Sequence, residues 1–105
     1  MGKHRSRLDI IAAMLNVASG GVKKTRIMHL ANLSYALLEK YLKETMSFGF
    51  MDFDGEGYRV TEKGRAFLDK YSRYNSRHSK AQKTLRDLTV EWKDLEKMCE
   101  KTPEG

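Results

Sequence analysis

Three observations predict a mainly helical α+β chain of three short helices, one β-hairpin and one long final helix. Apolar residues recur at helical spacing in the first half. A short alternating stretch centred on glycines follows, and the last third keeps an unbroken heptad seam. Helix, helix, helix, hairpin, helix is the layout of a winged helix-turn-helix with an oversized last element.

The first helix runs from about Ser6 to Ser19, with Leu8, Ile11, Ala12, Leu15 and Ala18 as its inward stripe. Ser6 and Asp9 fit a capping box, and Gly20-Gly21 stops the helix. A second helix spans about Lys24 to Ala31, carrying Ile27, Met28 and Leu30. Asn32-Leu33 makes a short turn, and Ser34 caps a third helix reaching about Phe48, where Gly49 ends it. In "FMDFDGEGYRVT" alternation around Asp54-Gly55-Glu56-Gly57 reads as a hairpin with a glycine-rich tip. Thr61 or Glu62 opens the long helix, which extends to about Lys101, ahead of Pro103. The expected division is a winged helix-turn-helix over 1–61, a dimerisation helix over 62–101 and a tail over 102–105.

The long helix carries the strictest pattern. Phe67, Tyr71, Tyr74, His78, Ala81, Leu85, Leu88, Trp92, Leu95 and Cys99 succeed one another at alternating steps of four and three. A helix of roughly 60 Å cannot hide such a seam in so small a domain, so the distal part calls for another chain. The expected dimer interface is Tyr71, Tyr74, His78, Ala81, Leu85, Leu88, Trp92, Leu95 and Cys99. Residues 63–86 carry eight bases against Asp69 alone, whereas residues 87–105 are mainly acidic. Antiparallel pairing lays basic on acidic and sets Trp92 opposite Ala81, which favours an antiparallel coiled-coil homodimer.

The chain has 105 residues, a net charge of +6 and a pI near 9.5. That balance points to a polyanion, either nucleic acid or an acidic membrane surface. One cysteine excludes an intramolecular disulfide and a cysteine-based zinc site, and a cytoplasmic setting is expected. The basic head and apolar middle of the N-terminus imitate a signal peptide, but Asp9 and the helical periodicity favour a folded helix. "MGKHRS" fits the loose myristoylation pattern at Gly2, a membrane-anchored reading that intact mass would settle.

In a helix-turn-helix the second helix enters the major groove. Leu38, Tyr41 or Leu42, and Met46 define an inward face here. Ser34, Tyr35, Glu39, Lys40, Lys43 and Glu44 then face outward. Tyr35 and Lys40 suit bases or backbone and Lys43 suits phosphate, while Glu39 and Glu44 are unwelcome against a duplex unless one accepts from cytosine. Lys3, Arg5 and Arg7 form a mobile basic arm, and Lys23, Lys24 and Arg26 cluster where the second helix starts. Helix N-termini near Thr25 and Ser34 add backbone donors for phosphate. The hairpin tip is acidic at Asp52, Asp54 and Glu56, with Arg59 the base among them. The expected DNA-binding set is therefore Lys3, Arg5, Arg7, Lys23, Lys24, Arg26, Ser34, Tyr35, Lys40, Lys43 and Arg59.

"RSRLDIIAAML", "KKTRIMHLANLSYALLEKYLK", the hairpin ending "YRVTEKG" and the long tail resemble the archaeal DNA-binding family of the Sulfolobus ten-a chromatin protein. The resemblance spans nearly the whole chain. It implies a winged helix dimerised by an antiparallel coiled coil of the last helix. It also implies an abundant cytoplasmic, nucleoid-associated protein that binds double-stranded DNA with little sequence preference. Positions matching near the groove are Lys24, Arg26, Ser34, Tyr35, Lys40 and Lys43; the acidic wing departs from the simple pattern.

The functional expectation is a double-stranded-DNA-binding homodimer, nucleoid-associated or transcription-regulating, whose binding is dominated by phosphate contacts. Heads at opposite ends of the rod would reach grooves about two turns apart or bridge two duplexes. The alternative is a protein-interaction adaptor that uses the winged helix as a docking surface. No cofactor, metal, small-molecule substrate or membrane is expected, and no enzyme: His4, His29 and His78 share no carboxylate arrangement, and no phosphate-cradling glycine loop of known spacing is present.

Overall fold

The computed structural model describes residues 5–100. In order these form α1 (Arg7–Val17), a 3-10 turn (Ala18–Gly20), α2 (Lys24–Leu30), α3 (Tyr35–Ser47), β1 (Met51–Phe53), β2 (Tyr58–Val60) and α4 (Glu62–Met98). The architecture is a winged helix with a long C-terminal helix. The chain divides into two compact units, one up to Tyr71 and one from Ser72 onward. Lys3, His4, Gly2 and the 102–105 tail lie outside the described residues, as does the expected helix end at Lys101; α4 ends at Met98.

Local chemistry sets the first unit's boundaries. Ser6 Oγ accepts from Asp9 N and the Asp9 carboxylate accepts from Ser6 N, so the capping box starts α1. α1 buries Ile10, Ile11, Ala12, Met14 and Leu15 around much of its circumference, whereas Leu8 is exposed. The single stripe expected from spacing is thus too narrow, because α1 is packed from several sides rather than along one face.

Asn32 takes a positive φ of 55° after α2. Leu33 N then donates to Met28 O and Asn32 N to His29 O, closing a Schellman motif. Ser34 Oγ accepts from Leu37 N at 3.2 Å and starts α3 at once. Gly49, at φ 76°, repeats the device at the far end of α3, where Phe50 N donates to Thr45 O.

α3 buries Leu38, Tyr41, Leu42 and Thr45. Met46, expected inward, is exposed, and Thr45 holds the core position instead. Its hydroxyl donates to Tyr41 O and Leu42 O, so no polar atom is stranded there.

The antiparallel hairpin pairs Met51 with Val60, Asp52 with Arg59 and Phe53 with Tyr58. Val22 joins as an isolated bridge to Tyr58. Asp54 Oδ1 accepts from both Glu56 N and Gly57 N at 2.9 Å, so this acid builds the tip; those bonds also lower its pKa. Thr61 Oγ1 accepts from Gly64 N and opens α4. Gly64 lies so near the hairpin that a Cβ would collide with Phe50 O and come within 2.8 Å of Val60 Cγ1. Tilted and stacked rings of Phe48, Phe50, Phe67 and Tyr71 fasten the first turns of α4 to this unit.

The second unit is the remainder of α4 and the residues beyond it. Its apolar residues lie open in the single chain: Leu85, Leu88, Trp92 and Leu95 are each more than half exposed and line one shallow apolar groove with Thr89 and Glu91. Tyr74 stacks on His78 with centroids 5.8 Å apart. Cys99, just past the end of α4, is exposed.

Candidate nucleic-acid interface

The exposed side of α3 is held in place by what its other side buries. With Leu38, Tyr41, Leu42 and Thr45 in the core, Ser34, Tyr35, Glu39, Lys40 and Lys43 are exposed. Their outward direction is therefore set by the packing of the opposite face. Lys40 Nζ lies 5.2 Å from the centre of the Tyr41 ring, an intrahelical cation–π contact.

α2 supplies the neighbouring cations. Lys23 stands at its N-cap without a side-chain cap bond, and Arg26 is exposed. Lys24 is engaged on the α3 face: its Nζ forms an ion pair with Glu39 Oε1 and lies 5.3 Å from the centre of the Tyr35 ring. The Glu39 hydrogen bond is the main reason the Lys24 pKa is raised. At the start of α3 one backbone donor is already taken, since Leu37 N is bonded to Ser34 Oγ.

The basic arm expected from Arg5 and Arg7 is a fastening. The Arg5 guanidinium donates from Nη1 to Ala31 O and from Nη2 to Asn32 O, each at 2.8 Å. It thereby caps the end of α2 and grips the turn into α3. Arg7 lies inside α1, where its Nε donates to Glu44 Oε1 at 2.9 Å and its guanidinium sits 5.4 Å from the centre of the Phe48 ring. Both cations are spent on backbone carbonyls or a carboxylate of the same head, which is why they do not form a free arm.

On the wing, Arg59 Nε lies 3.7 Å from Asp54 Oδ2 and 4.0 Å from Asp52 Oδ1. Its charge is balanced locally, and the hairpin tip stays acidic. Tyr71, expected in the dimer seam, is engaged within its own chain through its hydroxyl to Asp9. No group of His, Cys, Asp or Glu among the described residues could hold a metal ion. No helix among them is long and apolar enough to cross a membrane.

Lys23, Lys24, Arg26, Ser34, Tyr35, Lys40 and Lys43 thus lie on, or cap, the two helices of the helix-turn-helix, with Lys24 in contact with Tyr35 and Glu39 across them. Arg5 and Arg7 are bonded to the turn after α2 and to Glu44 of α3, and Arg59 stands on the wing. The Lys24–Glu39 pair and the Arg5 fork escape sequence reasoning because each joins residues on different elements.

Comparison with known proteins agrees with this geometry. The sequence profile of a family described as winged helix-turn-helix matches residues 4–79. An uncharacterised protein of Methanocaldococcus jannaschii, MJ0287, is 36% identical over 62 residues, covering 58% of this chain and 64% of that protein. The chain therefore spans less than two thirds of that relative's length. The crystal structure of Sso10a-2, described as a DNA-binding protein from Sulfolobus solfataricus, superposes with a TM-score of 0.61. At 18% identity, over 93% of this chain and 100% of that one, this is a likeness of fold.

Proposed function

Because this chain belongs to the winged helix-turn-helix family, we propose that it binds double-stranded DNA through α2 and α3. One observation carries the reading. α3 buries one face in the core and exposes Tyr35, Lys40 and Lys43 on the other, beside Lys23, Lys24 and Arg26 of α2. That is the disposition by which a helix-turn-helix presents its second helix to a major groove. The structural neighbour described as DNA-binding supports it. The outward face offers lysines and a tyrosine but no Arg, Asn or Gln, so binding is dominated by phosphate contacts and only weakly sequence-specific. Such a protein acts non-enzymatically, in the cytoplasm, as a nucleoid-associated or transcription-regulating factor.

We also propose that it works as a homodimer, with the head over 1–61 contacting DNA and the helix over 62–101 pairing two chains. The exposed row Tyr74, Leu85, Leu88, Trp92 and Leu95 supports this. So does the basic-then-acidic charge order along the helix, which favours an antiparallel pair.

Titrating random and genomic duplexes at several salt concentrations tests the proposal. Affinity falls steeply with salt, by roughly 0.9 in the log–log slope per neutralised phosphate, and differs little between sequences. A flat salt response refutes it. The acidic wing favours a second reading, a protein-interaction adaptor. In that case duplex DNA does not protect Lys24, Arg26 and Lys43 from chemical modification.

A further inference from the structure

Glu39 follows Tyr35 by one helical turn on the exposed face of α3, so the two side chains are neighbours there. Lys24 reaches over from α2 to touch both, pairing with the carboxylate and covering the ring at 5.3 Å. The Lys24 and Glu39 side chains are 36% and 46% exposed, so the pair stands in water at the mouth of the helix-turn-helix. A cation that would otherwise meet a phosphate is thus engaged by an acid of the same face. A duplex docking on α3 brings its phosphates towards that acid.

We infer that Glu39 limits affinity: its carboxylate competes with DNA phosphate for Lys24 and keeps binding of the duplex weak. This rests on the proposed DNA binding by α2 and α3. Two effects act in the same direction. The duplex must displace Glu39 from Lys24, and an exposed ion pair holds its lysine by a factor of about 2 to 5. The displaced carboxylate then remains near the phosphate backbone, where like charge repels. Glutamine in its place keeps the length, the helix propensity and a polar end group while removing the charge.

The experiment is a titration of a fluorescent random-sequence duplex of about 20 bp, at several salt concentrations. The 105-residue wild-type chain, Glu39→Gln, Lys24→Met and the double variant are compared, with circular dichroism melts confirming each fold. Glu39→Gln is expected to bind about 3- to 10-fold tighter at low salt, with the log–log slope changed little, because Lys24 neutralises the same phosphate in wild type once Glu39 is displaced. In the Lys24→Met background the same substitution is expected to gain less than about 2-fold, leaving only the repulsive part. Unchanged or weaker binding by Glu39→Gln overturns the inference, as does an equal gain without Lys24. A wild type that binds with normal salt dependence but ignores Glu39→Gln removes this inference alone. Failure of every variant to bind at low salt removes the DNA-binding reading and this inference together.

Discussion

The Tyr71 hydroxyl donates to the Asp9 carboxylate, joining α4 to α1 across 62 positions of sequence. Asp9 also completes the Ser6 capping box, so one carboxylate both starts α1 and anchors α4. The Tyr71 bond is the main cause of the lowered Asp9 pKa, with the Ser6 bonds adding to it. The same bond, with burial behind it, pushes the Tyr71 pKa from 10.0 up to about 12.

Tyr71→Phe is expected to destabilise the protein by about 1 kcal/mol at neutral pH, a value below that of a fully buried charged hydrogen bond because the pair is only partly buried. For a domain of this size that is a fall in Tm of about 4–8 °C. Asp9 is depressed on folding, so its share is present above pH 3.8 and is lost as pH falls through the lower folded value. Tyr71 is raised, so its share is full below pH 10.0 and is lost as pH rises towards about 12. The difference in Tm between wild type and Tyr71→Phe should therefore be greatest between these limits and narrow at both ends. A difference that stays constant with pH would mean that the hydroxyl acts other than through its bond to the ionised Asp9.

Gly64→Ala tests how closely α4 approaches the hairpin. The new methyl meets Phe50 O and Val60 Cγ1, and backbone on one side leaves little to yield. Overpacking of this kind typically costs about 1–3 kcal/mol, despite the better helix propensity of alanine. Chemical denaturation followed by far-UV circular dichroism measures it, and a stabilised variant would show that the approach relaxes easily.

What could be read from sequence is what neighbouring residues decide. Ser6 with Asp9, Ser34 before α3, Gly49 after it and the Asp54–Gly57 tip each act within a few residues, so their roles are visible as spacing. The Tyr71–Asp9 bond, the Arg5 fork and the Val22–Tyr58 bridge exist only after the elements pack. The same blindness made a basic arm of Arg5 and Arg7: composition counts their charges but does not show that carbonyls and Glu44 receive them. It also put Met46 inward, because periodicity marks a hydrophobic residue but not that Thr45 can satisfy its own hydroxyl in the core.

Arg5→Lys should separate positioning from phosphate contact. Lysine keeps the charge but has no planar fork to serve Ala31 O and Asn32 O together. If Arg5 holds the turn, Arg5→Lys weakens duplex binding about 3- to 10-fold and lowers stability by about 1 kcal/mol, while the salt slope is unchanged. Binding equal to wild type, or a shallower slope in Arg5→Met together with full stability, would instead mark Arg5 as a phosphate contact.

Lys43→Ala is expected to behave in the opposite way. Lys43 is exposed on α3 and is not among the core residues, so the melt should stay within about 0.5 kcal/mol of wild type. If Lys43 meets a phosphate, its loss reduces the magnitude of the log–log salt slope by about 0.9, equally for random and genomic duplexes. A loss confined to one sequence would mean that Lys43 reads a base rather than the backbone.

The apolar groove of the second unit yields the last expectation. Leu85, Leu88, Trp92 and Leu95 lie along one face of α4, and Leu88 is 53% exposed in the single chain. If a second copy covers that face, Leu88→Asp buries an unpaired charge in the interface and separates the chains. Sedimentation at micromolar concentration should then find the wild type at twice the 12.1 kDa chain mass and Leu88→Asp at the chain mass. The head should keep its fold, because Leu88 belongs to the other unit. Duplex affinity should fall as well, since two linked heads bind with an effective concentration that a single head lacks. A wild type that sediments as a single chain would leave the groove to another partner and remove the paired-head mechanism.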